Sequence, residues 1–591
     1  MRTILLFFLT LVFAYGQEYE LSGTVTDESG NALPGVNIVI KGTTKGTQTD
    51  FNGKYAIRVK PKDILVFSYI GFETQEIIVK QQKTLNVALK EDQQILQEVV
   101  VLGYGIQSKK AVTGTYRMPE EKETYKNIEE NKFKKTATDP VSTFSADVDR
   151  ASYSNIRRML NNGYFPEKDA VRIEEMINYF DYDYPQPDAK SKTPFKMTTE
   201  LSKAPWNSKN YLLQIGMQAQ KIDMEKTPPS NIVFLIDVSG SMDYPNKLPL
   251  LKSSFKLLLS SLKPSDKVAI VVYAGSSGLV LPSTSAKEKA TIEAALEKLE
   301  AGGSTAGGEG LKLAYKVARE NFIPSGNNRI ILATDGDFNV GINNYDELQR
   351  LVEEERKSGV YISVLGFGMG NYRDDMTETI ANKGNGNYAY IDNIMEAKKV
   401  LVNEFGGTFY TVAKDVKFQV EFNPKYVKEY RLLGYENRML NTEDFEDDQK
   451  DAGEVGSGHT VTVLYEIIPA DGKNENTLRY QNQQLNEKAK KGNEIAFLKI
   501  RYKKPDSKSD KSIEVSEPIG FEVKELSKTT DNFRFAASVA EFGMLLRDSE
   551  FKAEASYQQV IDLAKNALGK DKEGYRKEFI RLVESAKLLA K

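Results

Sequence analysis

The chain has 591 residues, too many for a single hydrophobic core, so about four domains are expected. Lys and Arg number 80 against 83 Asp and Glu, a formal charge of −3, so nothing in the balance suggests nucleic-acid or polybasic membrane binding. There is no cysteine, hence no disulfide, thiol nucleophile or thiolate metal site, and His459 is the sole histidine, so an H-E-x-x-H zinc site cannot form.

Residues 1–16 begin with a basic residue, continue through a short apolar run and end on Ala14, Tyr15 and Gly16. This is the pattern of a secretory signal, with cleavage before Gln17. The run is too short to span a bilayer comfortably, so no transmembrane segment is expected in the mature chain, and no cysteine is present to carry a lipid. Residues 17–92 then read as a small all-β domain. Alternating segments at 21–25, 36–40 and 64–68 are separated by Gly, Pro, Asn and Asp turns. The phrases at 23–27, 33–36, 49–55 and 69–72 resemble a carboxypeptidase regulatory-like sandwich. That resemblance implies a module without catalytic zinc, of the kind found at the front of Bacteroidetes-type surface and outer-membrane proteins. Residues 97–105 also resemble the junction before the plug of a TonB-dependent receptor. A receptor would continue into a barrel of alternating segments, whereas a globular α/β pattern follows, so the receptor reading is dropped. Residues 93–136, rich in Lys, Glu and Thr, read as a flexible linker.

Residues 137–228 form a distinct segment, with strand patterns at 195–200 and 211–217. The pattern changes at 229–410. An apolar run at 231–236 reads as a strand buried on both faces, and a helix is predicted at 247–262. Between them lies Asp237-Val-Ser-Gly-Ser241, which places one carboxylate and two hydroxyls on a loop at the carboxyl end of a strand. Ligands bind at that edge in open α/β sheets, and hard oxygen donors suit Mg²⁺ or Mn²⁺ better than zinc or copper. Further strands are predicted at 267–273, 329–335, 360–366 and 387–390. They alternate with helices at 286–300, 308–321, 344–357, 373–383 and 394–405, which argues for a doubly wound, mostly parallel sheet. The alternation alone fits a flavodoxin-like or response-regulator fold equally well.

The D-x-S-x-S motif resembles that of von Willebrand factor type A domains, and this decides the fold expected. The resemblance implies a metal ion-dependent adhesion site whose coordination is completed by a bound partner. It also implies two further ligand loops, and the glycine-rich stretch 301–310 supplies Thr305 while the run 329–335 ends on Asp335. The expected ligand set is therefore Asp237, Ser239, Ser241, Thr305 and Asp335, with the two aspartates acting directly or through water. Asp337, Asn339 and Asp346 stand near calcium-loop offsets, but the glycine falls one residue late and a strand precedes them. That loop is assigned to the same Mg²⁺ site. Tyr244 and Tyr273 are either partner contacts or core.

Residues 411–527 read as a β-rich domain, with strands at 416–421, 459–467 and 495–502, and residues 528–591 as helices. The stripe of Tyr557, Val560, Ile561, Ala564 and Leu568, continued by Tyr575, Phe579, Leu582, Val583 and Leu589, is expected to be core. The acidic stretch 443–448 reads as a solvated loop. Because strands flank the type A region on both sides, one β-sandwich built from both flanks is expected, with that region inserted as in integrin β chains. Residues 137–590 are similar to a family of exported bacterial proteins with a central type A domain and a C-terminal domain of unknown function.

Three functions are compatible with these features. The favoured one is a non-catalytic binding protein that engages an Asp or Glu carboxylate of a protein partner through Mg²⁺ (or Mn²⁺). The others are an envelope protein stabilised by its metal, and a metal-dependent hydrolase. A Ser-His-Asp triad would have to use His459, which reads as a turn residue outside the motif loops. The expected location is periplasmic, with the outer membrane or cell surface left open, and the oligomeric state is not specified by the sequence. N-terminal sequencing of the native protein is expected to begin at or near Gln17, and a retained Met1 would contradict export.

Overall fold

The computed structural model describes residues 19–90 and 123–590, apart from 29, 31, 34–35, 42–45, 51–52, 69–71, 73–74, 81, 147–148, 189, 275–276, 303–306, 337–344, 371, 472–491 and 506–510. The signal segment, the receptor-like junction, Thr305, Asp337 and Asn339 lie outside the described residues. The chain divides into two compact units, 1–118 and 119–591.

In the first unit a three-stranded sheet carries Tyr19–Asp27 between Lys54–Val59 and Val87–Leu89. A four-stranded sheet runs in the order Gly46–Gln48, Asn37–Ile40, Ile64–Ser68 and Gln75–Ile78. Burial alternates strictly along Lys54–Val59, so one face of that strand is core and the other is wet. Leu21, Val25, Ile38, Tyr55, Leu65 and Phe67 fill the space between the sheets. This is the expected small sandwich.

The second unit is organised around a six-stranded sheet in the order Ser277–Ser285, Lys267–Tyr273, Ser230–Asp237, Asn327–Thr334, Tyr361–Phe367, Tyr388–Ile391. All neighbours are parallel except the edge strand Ser277–Ser285, which pairs antiparallel and which periodicity did not reveal. Every residue of Ser230–Asp237 is buried, because helices cover both faces. Phe234 and Ile236 meet Leu251 and Phe255 of Leu248–Ser261, while Val233 and Leu235 meet Leu311 and Tyr315 of Gly307–Glu320. The sheet is the doubly wound one predicted. The predicted helix at 394–405 is broken into Ile394–Lys398, a π-turn at Lys399–Asn403 and Phe405–Phe409.

Strands from before and after this sheet form one sandwich. Asn207–Ala219 pairs along its length with Thr460–Pro469, and Val141–Ser145 pairs with Thr411–Phe422. The core between the two layers draws Leu213, Ile215 and Met217 from one flank and Val416, Phe418 and Val420 from the other. The α/β region is thus an insertion. The helices Asp531–Arg547, Tyr557–Lys565 and Tyr575–Leu589 close a separate core with Tyr153, Tyr179, Phe180 and Trp206. No helix among the described residues is long and apolar enough to cross a membrane.

One expectation is corrected. Residues 123–135, read as part of a flexible linker, are bound to the second unit. Lys134–Lys135 adds an edge strand to Val427–Leu432, Asn131 donates to the carbonyls of Leu432 and Gly434, and Phe133 packs edge-on against Phe551. Polar composition concealed this because main-chain pairing, ion pairs of Glu123 and Glu130 with Arg158 and Arg431, and the ring of Phe133 hold the segment. The acidic stretch at 443–448 has Glu443, Glu446 and Asp447 exposed, as read, while the buried Phe445 and the pair of Asp448 with Arg501 at 2.9 Å anchor it.

Buried ions tie the regions together. Arg157, on the helix Ala151–Asn161, is fully enclosed and contacts Asp392 at 2.5 Å, Glu396 at 2.6 Å, Glu578 at 2.8 Å and the Tyr179 hydroxyl at 2.9 Å. Removing one member of such a network strands the others without solvent. Arg157→Met is expected to destabilise the second unit by about 3–5 kcal/mol in denaturant melts, and an unchanged midpoint would contradict this reading.

Candidate metal centre

The strand Ser230–Asp237 ends opposite Tyr273 on one side and beside the end of Asn327–Thr334 on the other, so two carboxylates, Asp237 and Asp335, emerge at adjacent strand ends. The chain then turns through the short 3₁₀ segment Gly240–Met242, fixed by the buried Met242 side chain. Ser239 and Ser241 are brought face to face with their hydroxyl oxygens 3.1 Å apart. That separation is close to the edge of an octahedron with metal–oxygen bonds of about 2.1 Å, which is about 3 Å. The second loop approaches through Gly302, whose N–H donates to the Val238 carbonyl at 2.8 Å. The loop therefore enters beside the motif, and Thr305 lies three residues further on.

Asp237 and Asp335 are not surface residues. Both are fully buried, as is Ser239, while Ser241 is half-buried. Asp237 accepts a hydrogen bond from the Ser239 N–H at 2.9 Å and a longer one from the Thr334 hydroxyl at 3.4 Å. Burial nonetheless pushes its carboxyl up to about 6; the Ser239 contacts pull it down, and the neighbouring charge of Asp335 pushes it further up. A buried carboxylate so penalised is relieved by a cation. The donor set of carboxylate and hydroxyl oxygens, without nitrogen or sulfur, fits Mg²⁺ or Mn²⁺. Tyr273 is core, its hydroxyl beside Asp237, which removes it from the partner-contact candidates. Tyr244 is exposed.

One site residue escaped the sequence reading. Lys247 is buried at the start of the helix Leu248–Ser261, and its ammonium lies 2.8 Å from Asp335 Oδ2. Its stem lies against Gly368, whose φ of +79° and missing Cβ leave the room that Lys247 occupies. The legible signal was its position. A cation at a helix N-terminus opposes the helix dipole and calls for a carboxylate partner. The site thus holds two carboxylates and one ammonium.

Other groups do not join the site. His459 lies beside Ser457, whose N–H donates to the Tyr410 carbonyl, and Tyr410 reaches Ser230 at 3.2 Å. It is therefore near the far end of Ser230–Asp237, roughly 23 Å away along the strand. Its ring packs onto Gly407, and burial with the nearby Arg150 depresses its pKa to about 3. Asp149, Glu175 and Glu378 converge elsewhere, but Arg172 and Arg438 already pair with them.

The fold and the loops define a von Willebrand factor type A domain protein: residues 231–403 match the model of that domain, 119–214 a model described as von Willebrand factor, and 21–101 the CarboxypepD_reg-like domain. The chain belongs to the family of uncharacterized protein YfbK. It is 46% identical to the Escherichia coli (strain K12) member over 468 residues, covering 78% of this chain and 80% of that protein, and residues 407–589 match the YfbK C-terminal model. The front region is 49% identical over 119 residues to TonB-dependent receptor P3 of Formosa agariphila, of which this chain covers 12%. Among solved structures, von Willebrand factor type A from Catenulispora acidiphila aligns over 65% of this chain and 89% of its own, at 16% identity and TM-score 0.38.

The raised pKa of Asp237 has a testable sign. The folded state holds this proton to higher pH than the unfolded chain, so ionisation costs stability as pH rises from about 4 through about 6. In chelator at about pH 8, Asp237→Asn is expected to be more stable than the parent by about 2–3 kcal/mol, the gap closing toward pH 4. A variant less stable at high pH would contradict the assignment.

Proposed function

We propose that this is an exported, non-catalytic envelope protein that binds a protein partner through a divalent ion held by Asp237, Ser239, Ser241, Thr305 and Asp335. The observation that carries the reading is the pair of facing hydroxyls, Ser239 and Ser241, above two buried carboxylates. Magnesium or manganese bound there would offer an exchangeable position to an incoming Asp or Glu carboxylate. The chain's own part is to orient the hydroxyls on a rigid turn and to keep Asp237 and Asp335 out of water, where their attraction for a cation is strong. Lys247 limits that attraction, since its ammonium already neutralises one carboxylate. With the ion added, the centre carries one surplus positive charge, matched by one partner carboxylate. The absence of histidine near the loops and the place of His459 at the other end of the strand favour binding over hydrolysis. The front sandwich, shared with receptors of the outer membrane, supports an envelope location.

The test is partner capture from the native envelope by the parent and by Ser241→Ala, each with Mg²⁺ and with chelator. Recovery is expected only for the parent with Mg²⁺. Equal recovery in all four conditions would leave the metal a purely stabilising role.

A further inference from the structure

The metal loops do not end at bare polar surface. Tyr244, in the turn after the motif, is 63% exposed, with the Lys247 ammonium 5.4 Å from its ring centre. Lys247 in turn lies along Gly368, and the next residue, Met369, is 48% exposed at the end of the strand Tyr361–Phe367. The Met369 sulfur is 3.9 Å from the side-chain amide of Asn162, which terminates the helix Ala151–Asn161. Beyond Asn162 the chain presents Tyr164 and Phe165, 43% and 39% exposed. An unbroken set of contacts thus runs from the metal loops, past the ammonium, onto an apolar rim contributed by the segment that precedes the type A domain.

The rim is held in place. Glu123 accepts the N–H of Gly370 at 3.1 Å and pairs with Arg158 at 2.7 Å, and Arg158 donates to the Tyr164 hydroxyl at 3.2 Å and lies over the Tyr390 ring. Its charge is therefore already neutralised by Glu123, and the exposed side chains that make the rim carry no charge of their own. Large apolar side chains held in the open cost hydration without benefit to the fold, and Met and Tyr are residue types enriched in protein interfaces.

We infer that Tyr244, Met369, Tyr164 and Phe165 form one docking strip with the metal centre, and that its occupant is a segment of a partner protein carrying a single carboxylate flanked by aromatic or aliphatic side chains. The charge pattern selects this occupant. One surplus positive charge at the metal centre takes one carboxylate, and the uncharged side chains of Tyr244, Met369, Tyr164 and Phe165 favour apolar flanks over further acidic residues. The segment before the type A domain is then part of the recognition surface as well as of the scaffold. This inference rests on the metal-dependent reading above.

The experiment uses the full mature chain and short fluorescent peptides in Mg²⁺, read by anisotropy. One peptide series has a central Asp flanked by Phe, Tyr and Leu on either or both sides, another the same Asp among Ser and Gly, and a third is a run of Asp and Glu. The apolar-flanked peptides are expected to bind about tenfold more tightly than the Ser and Gly series, in line with the contribution of buried interface anchors. In a Tyr164→Ser, Phe165→Ser, Met369→Ser variant that advantage should vanish while Mg²⁺ affinity by calorimetry stays at the parent value. Mg²⁺-dependent binding that ignores the flanks, favours the acidic run, or keeps its preference in the variant overturns the strip and spares the metal reading. Failure of every peptide to bind, with calorimetry also showing no Mg²⁺ uptake, overturns both.

Discussion

Arg157 is the point on which the second unit depends. Its guanidinium lies where the segment before the type A domain, the last strand and helix of that domain, and the C-terminal helices meet, and it satisfies carboxylates from two of those three regions. Arg is suited to this by its planar set of donors: Nε and Nη2 address Asp392, Nη2 also reaches Glu396, and Nη1 donates to Glu578. Such a network adds little net stability over an apolar core of the same shape. What it imposes is register, because the ions cannot be buried unless all the elements arrive together. A second buried pair, Arg172 with Asp374, joins the same helical segment to the domain at another point, and Arg438 brings in the C-terminal half through Asp149 and Glu378.

This arrangement bears on the metal centre. An inserted domain connected to its host only by its two chain ends would be free to rock. Here the edge strand Tyr388–Ile391 and the helix Asp374–Lys383 are pinned to the flanking segment, and the loop at Met369 leads from the strand Tyr361–Phe367 into that helix. The metal loops and the rim are thereby presented as one surface. The centre itself is built against stability: two carboxylates are withdrawn from water at adjacent strand ends, and one of them, Asp237, has only neutral hydrogen-bond donors in direct contact. Strain of that kind would favour a cation at the proposed site, and Lys247 would moderate that preference without abolishing it.

Much of this was legible in the sequence, and for identifiable reasons. A strand buried on both faces must be apolar throughout, so the run before Asp237 announced itself. The oxygen donors of the first loop lie within five consecutive residues, where local order is enough to place them on one turn. The helices of the type A region and the C-terminal stripe followed from their 3.6-residue period. The sandwich shared between both flanks was inferred from strands on either side of an insertion.

What the sequence did not determine depends on partners distant along the chain. The edge strand Ser277–Ser285 has a short apolar run, Leu279 to Leu281, that Pro282 ends and of which only Leu281 is buried, so its pairing with Lys267–Tyr273 is what makes it a strand. Residues 123–135 are polar and looked like linker, yet strand pairing and the Asn131 side chain fix them to main-chain groups about three hundred positions away. The partnership of Lys247 with Asp335 and the approach of Asn162 to Met369 are of the same kind. Charge and exposure are properties of the folded surface, set by which elements meet, and local periodicity carries no record of that meeting.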